Sequence, residues 1–237
     1  MPFFSPVSAG GIGRATYTAT TGSPNIDTTT RAGKTIIKWT ASGSITIGVE
    51  GYVEILVVGG GGGNASQSGG TGGGGGGGGV NYSTSAFLPA GTHTVTVGAG
   101  GSADDTQPKN GGASGVGPHI ALGGGYGSQY GDNQPGANGG SGGGGASGTG
   151  GGSGFPGQGN NGAIGGGGGA GGAASGNTGG IGLANSITGT SVTYAKGGNG
   201  GDSLAVVNGT ANTGNGSQGG QYNGASGGSG VVIVVIG

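Results

Sequence analysis

The sequence predicts a mainly β and irregular fold: an N-terminal β-strand region, then a bundle of polyglycine-II helices flanked by short β-strands. The first observation behind this prediction is that 77 of the 237 residues are glycine. The second is that the apolar residues form short blocks rich in Val, Ile, Thr and aromatic side chains, as strands do. None of these blocks has the apolar period of an amphipathic helix. The composition changes near residue 58, so we expect a β-rich region over 1–57 and a glycine-rich domain over 58–237.

The strand candidates fall into two groups. Those before the composition change are ATYTAT (15–20), TIIKWT (35–40), SITIG (44–48) and YVEILVV (52–58). Those after it adjoin glycine runs and are AFLPAGTHTVTVGAGG (86–101, a turn and then a strand), HIALGGG (119–125), SVTYAKGG (191–198) and GVVIVVIG (230–237).

The glycine runs themselves predict packed backbone. A polyglycine-II helix has three residues per turn, a rise of about 3.1 Å and no internal hydrogen bonds, so its backbone groups must pair with neighbouring helices. The run 72–79 would span about 25 Å in that geometry. Disordered chains are rich in charge and proline, whereas this one has only 5% charged residues and 8 Pro. The composition therefore favours an ordered glycine scaffold.

Composition and charge exclude several classes of function. The formal net charge is −1, which argues against a nucleic-acid partner because phosphates must be neutralised by Lys and Arg. The apolar blocks are much shorter than the roughly 20 residues of a membrane-spanning helix. With 0 Cys there is neither a disulfide framework nor a thiolate metal site. The opening MPFFSPVSAGG lacks the features of a secretory signal, so we expect synthesis in a cytoplasm.

Two stretches resemble phosphate-binding loops but lack their context. In VEILVVGGGGGNA (53–65), Gly60, Gly62 and Ala65 have dinucleotide-loop spacing. That motif needs a helix directly after the loop, and the glycine-rich residues that follow disfavour one. AGKT (32–35) lacks the glycine that a phosphate loop requires five residues before Gly33. We therefore expect a turn at AGKT and no cofactor at either stretch.

No catalytic or metal-binding constellation stands out. His93 lies in an alternating strand, and His119 has no nucleophile partner in the sequence. Asp104 and Asp105 share a polar turn but do not supply the spaced oxygen ligands of a calcium loop. The sequence accordingly predicts no enzyme, no cofactor and no metal site.

Several blocks together resemble the glycine-rich domains of bacteriophage tail-fibre and virion proteins. They are YVEILVVGGGGG, AFLPAGTHTVTVGAGG, NGGASG and GGSGVVIVVIG, and the similarity covers roughly residues 35–237. It extends to the adhesins that cap the long tail fibres of some T-even-like phages, in which polyglycine-II helices form a sandwich and variable tip loops contact the host receptor. The resemblance implies a virion protein made in the host cytoplasm, with region 1–57 serving attachment.

On this resemblance we expect a tail-fibre or tail-tip adhesin that binds a bacterial cell-surface receptor. Its partners would be a bacterial surface glycan or outer-membrane protein and other virion or tail-fibre proteins. The oligomeric state stays open between a homotrimer and a single chain on a trimeric fibre. Two alternatives are a purely structural protein that decorates the capsid or tail, and a glycine-rich antifreeze protein, for which the Thr run 28–30 is the one hint.

The candidate receptor-binding residues are aromatic and polar residues in glycine-flanked loops. Aromatic rings stack on sugar rings, and amides provide hydrogen bonds. The preferred loop, 126–138, supplies Tyr126, Tyr130, Asp132, Asn133 and Gln134. The second set is Phe155, Asn160, Asn161, Tyr222 and Asn223.

Overall fold

In the computed structural model, the described part of the chain forms twelve β-strands joined by extended glycine-rich segments. The described residues are 13–65, 70, 72–103, 108–131, 133–146, 148–201, 207–220 and 224–237. The strands are β1 (Thr16–Thr21), β2 (Asn25–Asp27), β3 (Thr35–Trp39), β4 (Gly43–Val49), β5 (Gly51–Val58), β6 (Val80–Leu88), β7 (Gly91–Thr96), β8 (Ser114–Val116), β9 (His119–Ala121), β10 (Leu183–Asn185), β11 (Val192–Tyr194) and β12 (Val231–Ile236).

The strands form two five-stranded sheets and one hairpin, and every pairing within them is antiparallel. The central sheet has the order β2-β3-β12-β5-β6, and the outer sheet has the order β1-β4-β7-β8-β9. The hairpin consists of β10 and β11. In the central sheet β12 lies between β3 and β5, with Val234 opposite both Ile37 and Ile55.

The central sheet is covered on both faces. Alternate side chains of a strand point to opposite faces, and on one face Val232, Val234 and Ile236 join the core shared with the outer sheet. On the other face Val231 and Ile233 pack in a second cluster, with residues of the β10–β11 hairpin. All six residues of β12 are therefore buried, which explains its continuous apolar sequence.

The glycine segments all leave the sheets at one end. Val58, the last residue of β5, is paired with Val231 at the start of β12 and with Val80 at the start of β6. The glycine runs beyond these residues consequently begin side by side. The opposite end of the sheets, which we call the base, holds Gly13 and Ala15, since their backbone groups bond to Tyr52 near the start of β5.

Backbone hydrogen bonds hold the glycine segments together. The N–H groups of Gly74, Gly75 and Gly76 donate at 2.7–2.8 Å to Gly165, Ser217 and Gly125, which lie in three different segments. The segments approach so closely that a Cβ built on Gly60 or Gly62 would lie 2.0–2.1 Å from a backbone carbonyl oxygen. Only glycine can occupy such positions without displacing a neighbouring backbone.

The predicted bundle of polyglycine-II helices was wrong. Within the described ranges the chain is all-β, without a helix of any kind, and its regular structure is three antiparallel sheets. The physical reason is that the Val- and Ile-rich blocks pair with one another across long sequence distances and bury their side chains between layers. The glycine segments run between these strands without regular secondary structure of their own.

Five of the expected strands, β1, β3, β4, β5 and β12, are confirmed within one residue at each end. The stretches 86–101, 119–125 and 191–198 contain strands shorter than expected, and residues 86–88, expected to begin a turn, are the end of β6. The AGKT stretch is a turn, as expected: Gly33 has a φ of +69° and Lys34 N donates to Arg31 O at 3.0 Å. The VEILVV strand continues into an extended glycine segment and not into a helix, so it lacks the helix N-terminus that binds a dinucleotide.

Candidate functional site

The glycine segments converge again at the end of the molecule away from the sheets. We call this the distal end and define it by Ala65, Gly72, Tyr130, Gly201 and Ala225. Gly72 forms a β-bridge with Gly201, and Asn64 forms a β-bridge with Ala225. The distal end is therefore a surface built from several segments that are remote in sequence.

The preferred receptor-binding loop runs along the glycine region and reaches the distal end. Tyr126 is half-buried, and its N–H donates to Asn110 Oδ1 at 2.9 Å. Tyr130 is 39% exposed and packs against Gly70, where an added Cβ would lie 2.2 Å from its ring. Asn133, with a φ of +50°, and Gln134 are exposed. The loop thus carries one anchored aromatic ring and two exposed amides.

Phe155 lies at a different place, near the sheets. Its N–H bonds to the carbonyls of Gly139 and Gly140, both at 3.0 Å, and its side chain is 50% exposed. It lines an open groove of about 360 Å³ together with Leu122, Pro156 and segments 138–139 and 153–154. Sequence reasoning proposed Phe155 but missed the groove, because its walls come from segments that only the fold brings together.

The amide groups of Asn160 and Asn161 bond within the chain. Asn160 Nδ2 donates to Gly169 O at 2.8 Å, and Asn161 Oδ1 accepts from Gly154 N at 2.9 Å. Both side chains tie glycine segments to one another, which leaves fewer polar atoms of these residues for a ligand.

The candidate residues do not form a single surface. Tyr130 packs against Gly70, at one end of the extended run 72–79, whereas Phe155 bonds to Gly140, which packs against Gly79 at the other end. The remaining candidates, Asp132, Tyr222 and Asn223, lie outside the described residues. Of the other candidates, Tyr130 lies at the distal end and Phe155 lines the groove near the sheets.

An ion-pair cluster lies on the central sheet, far from these loops. Arg31 Nη1 and Nη2 donate to the two carboxylate oxygens of Glu54 at 2.8 and 3.1 Å, and Lys34 Nζ is 3.2 Å from Glu54 Oε1. The hydrogen bond from Arg31 is the largest effect on the Glu54 carboxyl and lowers its pKa below the ordinary value, although burial acts in the opposite direction. This cluster joins the turn before β3 to β5.

Replacing Glu54 by glutamine is expected to destabilise the protein in a pH-dependent way. The pKa of Glu54 in the folded protein is below the ordinary value of 4.5. The ionised carboxylate therefore stabilises the folded protein above pH 4.5, and this stabilisation is lost as the pH falls through the lower folded-state pKa. We expect a cost of about 1–2 kcal/mol at neutral pH, shrinking below about pH 4. Urea unfolding at several pH values measures this difference. A pH-independent difference would contradict it, and the exposed Glu50→Gln serves as control.

The two histidines of the described part each lie within hydrogen-bond distance of a backbone carbonyl group. His93 Nε2 is 2.7 Å from Pro89 O, and His119 Nε2 is 3.1 Å from Phe87 O. Over the described ranges no three His, Asp or Glu side chains are grouped in a way that could hold a metal ion. The described part of the chain also contains no helix that is long and apolar enough to cross a membrane.

Comparison with known proteins places the chain in a family. The family model described as a glycine-rich domain matches residues 35–237, from β3 through β12. The search of curated proteins finds no match. The matched range contains all of the central sheet except β2 and every glycine segment described above. The chain therefore belongs to the glycine-rich domain family.

Proposed function

We propose that the protein is a bacteriophage tail-fibre or tail-tip adhesin that binds a bacterial cell-surface receptor through its distal end. The observation that carries the proposal is the convergence of glycine segments at that end, where the ring of Tyr130 is exposed. Loops on a rigid scaffold are the usual location of binding residues, because they vary without disturbing the frame.

The chemistry of the distal loop favours a sugar-containing receptor. Tyr130 offers an aromatic face that is already held against Gly70, so little side-chain freedom is lost on binding. Asn133 and Gln134 are exposed in the same loop and can donate and accept hydrogen bonds with hydroxyl groups. An outer-membrane protein is the other receptor class on this proposal.

The base is the end proposed for attachment to other virion or tail-fibre proteins. Val49 is 59% exposed, and Tyr52 is 41% exposed and makes an edge-to-face contact with Phe87 at 5.8 Å between ring centroids. Partly exposed aromatic residues are enriched in protein interfaces. Attachment through the base would leave the distal end directed outward.

Binding of the labelled protein to a panel of bacterial strains and their purified surface lipopolysaccharides tests the proposal. On a strain that binds the protein, we expect Tyr130→Ala to weaken binding by about tenfold or more, which corresponds to about 1.4 kcal/mol. The matched control is Tyr82→Ala, since Tyr82 is a comparably exposed tyrosine (45%) on β6.

Equal binding by the Tyr130→Ala and Tyr82→Ala variants would remove the distal end as the receptor site. An absence of binding to every strain, together with incorporation of the protein into virions, would favour the alternative of a purely structural virion protein. Retained binding to cells stripped of lipopolysaccharide would indicate a protein receptor.

A further inference from the structure

The Asn–Gly dipeptides of the glycine region share one hydrogen-bonding arrangement. Seven such dipeptides occur in the sequence, and six lie wholly among the described residues. In each of these six, the asparagine Oδ1 accepts a backbone N–H from a neighbouring segment, and the glycine N–H donates to a carbonyl of that segment. Their asparagines are Asn110, Asn138, Asn161, Asn199, Asn208 and Asn215.

Three of the six dipeptides bind both polar groups of a single residue. Asn215 Oδ1 accepts from Lys196 N at 2.9 Å, while the N–H of the following glycine donates to Lys196 O at 2.8 Å. Asn138 and Asn208 hold Ser153 and Ser226 in the same way. The other three bind groups two residues apart on the neighbouring segment. We call this arrangement the Asn–Gly clamp.

The two groups held by the clamp are those that react in asparagine deamidation. The backbone nitrogen of the glycine loses its proton and attacks the side-chain Cγ, the bond from Cγ to the amide nitrogen breaks, and ammonia leaves. Water then opens the resulting five-membered imide to aspartate or isoaspartate. Glycine favours this attack because it has no Cβ to obstruct it and restricts its backbone least.

In the folded protein both reactants are held away from that reaction. The glycine N–H of the Asn215 clamp is donated to Lys196 O, and the side-chain oxygen is fixed by Lys196 N. Both bonds must break before the nitrogen can approach Cγ, which requires the segment to open locally. The neighbouring Ser217 is fully buried and accepts from Gly75 N at 2.8 Å, so this opening also disturbs the packed glycine segments.

We propose that the six clamped asparagines are latent deamidation sites that folding keeps closed. On this proposal, each asparagine loses its side-chain amide only after its glycine segment has opened. The extent of deamidation therefore reports how often the segments open. Conversion to isoaspartate inserts a methylene into the main chain, so a segment modified in this way cannot re-form the same hydrogen-bond register. The proposal does not depend on the receptor-binding function.

Peptide mapping by mass spectrometry after timed incubation at mildly alkaline pH tests the proposal. The native protein is compared with the urea-unfolded protein, and synthetic peptides with the sequence of 213–218 are incubated with and without urea to correct for its effect on the chemistry. We expect each of the six asparagines to deamidate at least about tenfold more slowly in the native protein. Equal corrected rates in the native and unfolded protein would overturn the proposal.

A variant that loosens one clamp provides a second test. Gly75→Ala introduces a Cβ 3.0 Å from Ser217 N, two residues from Asn215, and we expect at least a severalfold faster deamidation of Asn215. Gly150→Ala, where no atom lies within 4 Å of the added Cβ, is the control and should leave that rate unchanged. A destabilised Gly75→Ala protein with an unchanged rate at Asn215 would overturn the proposal. If this variant does not fold, the comparison of native and unfolded wild-type protein decides.

Discussion

Replacing Gly75 by alanine is expected to lower the free energy of unfolding by about 1–3 kcal/mol or more, because the added methyl group overpacks a contact between backbones. The Cβ would lie 2.0 Å from Gly62 O and 3.0 Å from Ser217 N. Both neighbours are main-chain atoms that are themselves hydrogen-bonded. They cannot rotate away as a side chain can, so the segments must move apart.

Urea denaturation followed by circular dichroism measures this cost. Gly150→Ala is the matched control: Gly150 is an exposed glycine of the same region, without a positive φ, and an added Cβ there meets open space. We expect the control to change stability by less than about 0.5 kcal/mol. A Gly75→Ala variant as stable as this control would contradict close backbone packing around Gly75.

The second large effect is expected for Trp39→Ala, with a loss of about 3–5 kcal/mol. Trp39 lies on β3 of the central sheet, is fully buried in the core between the sheets, and its Nε1 donates to Thr21 O at 3.0 Å. Because Thr21 belongs to β1 of the outer sheet, this side chain joins the two sheets by packing and by a hydrogen bond. Its truncation leaves a cavity and removes the hydrogen bond to Thr21 O.

Trp39→Phe separates these two contributions. Phenylalanine retains most of the buried ring but cannot donate to Thr21, so we expect a smaller loss of about 1–3 kcal/mol. Because the sequence contains 1 Trp, unfolding of both variants should be followed by circular dichroism and not by tryptophan fluorescence. If Trp39→Ala cost less than Trp39→Phe, packing between the two sheets would not be the main role of this residue.

The strands that could be predicted are those with clear apolar patterns. The β-branched residues of TIIKW and GVVIVVIG predict strands β3 and β12. By contrast β2, β8 and β10 have the sequences NID, SGV and LAN, which carry no strand signal over three residues. They are strands because a neighbouring strand offers unpaired backbone groups at that position.

The candidate binding residues, too, could be predicted only in part from the sequence. Aromatic and amide residues between glycine runs could be recognised as loop residues from their spacing, and Tyr130, Asn133 and Phe155 are exposed as expected. Their separation into a distal loop and a groove near the sheets could not be predicted, since it depends on which glycine segments lie side by side. The Asn–Gly clamps were also missed, although the repeated dipeptide was a visible signal.

The sequence by itself determined that strands would form at the Val- and Ile-rich blocks and that backbones would approach closely at the glycine runs, because both properties depend on residue type. Only the tertiary structure decided that β12 pairs with β3 and β5. The same pairing decided that the architecture is all-β and not a bundle of glycine helices. Glycine carries no side chain to specify a partner or a register. That specification comes from side chains elsewhere, in the sheets that bring the segments together and in the asparagines that bind them.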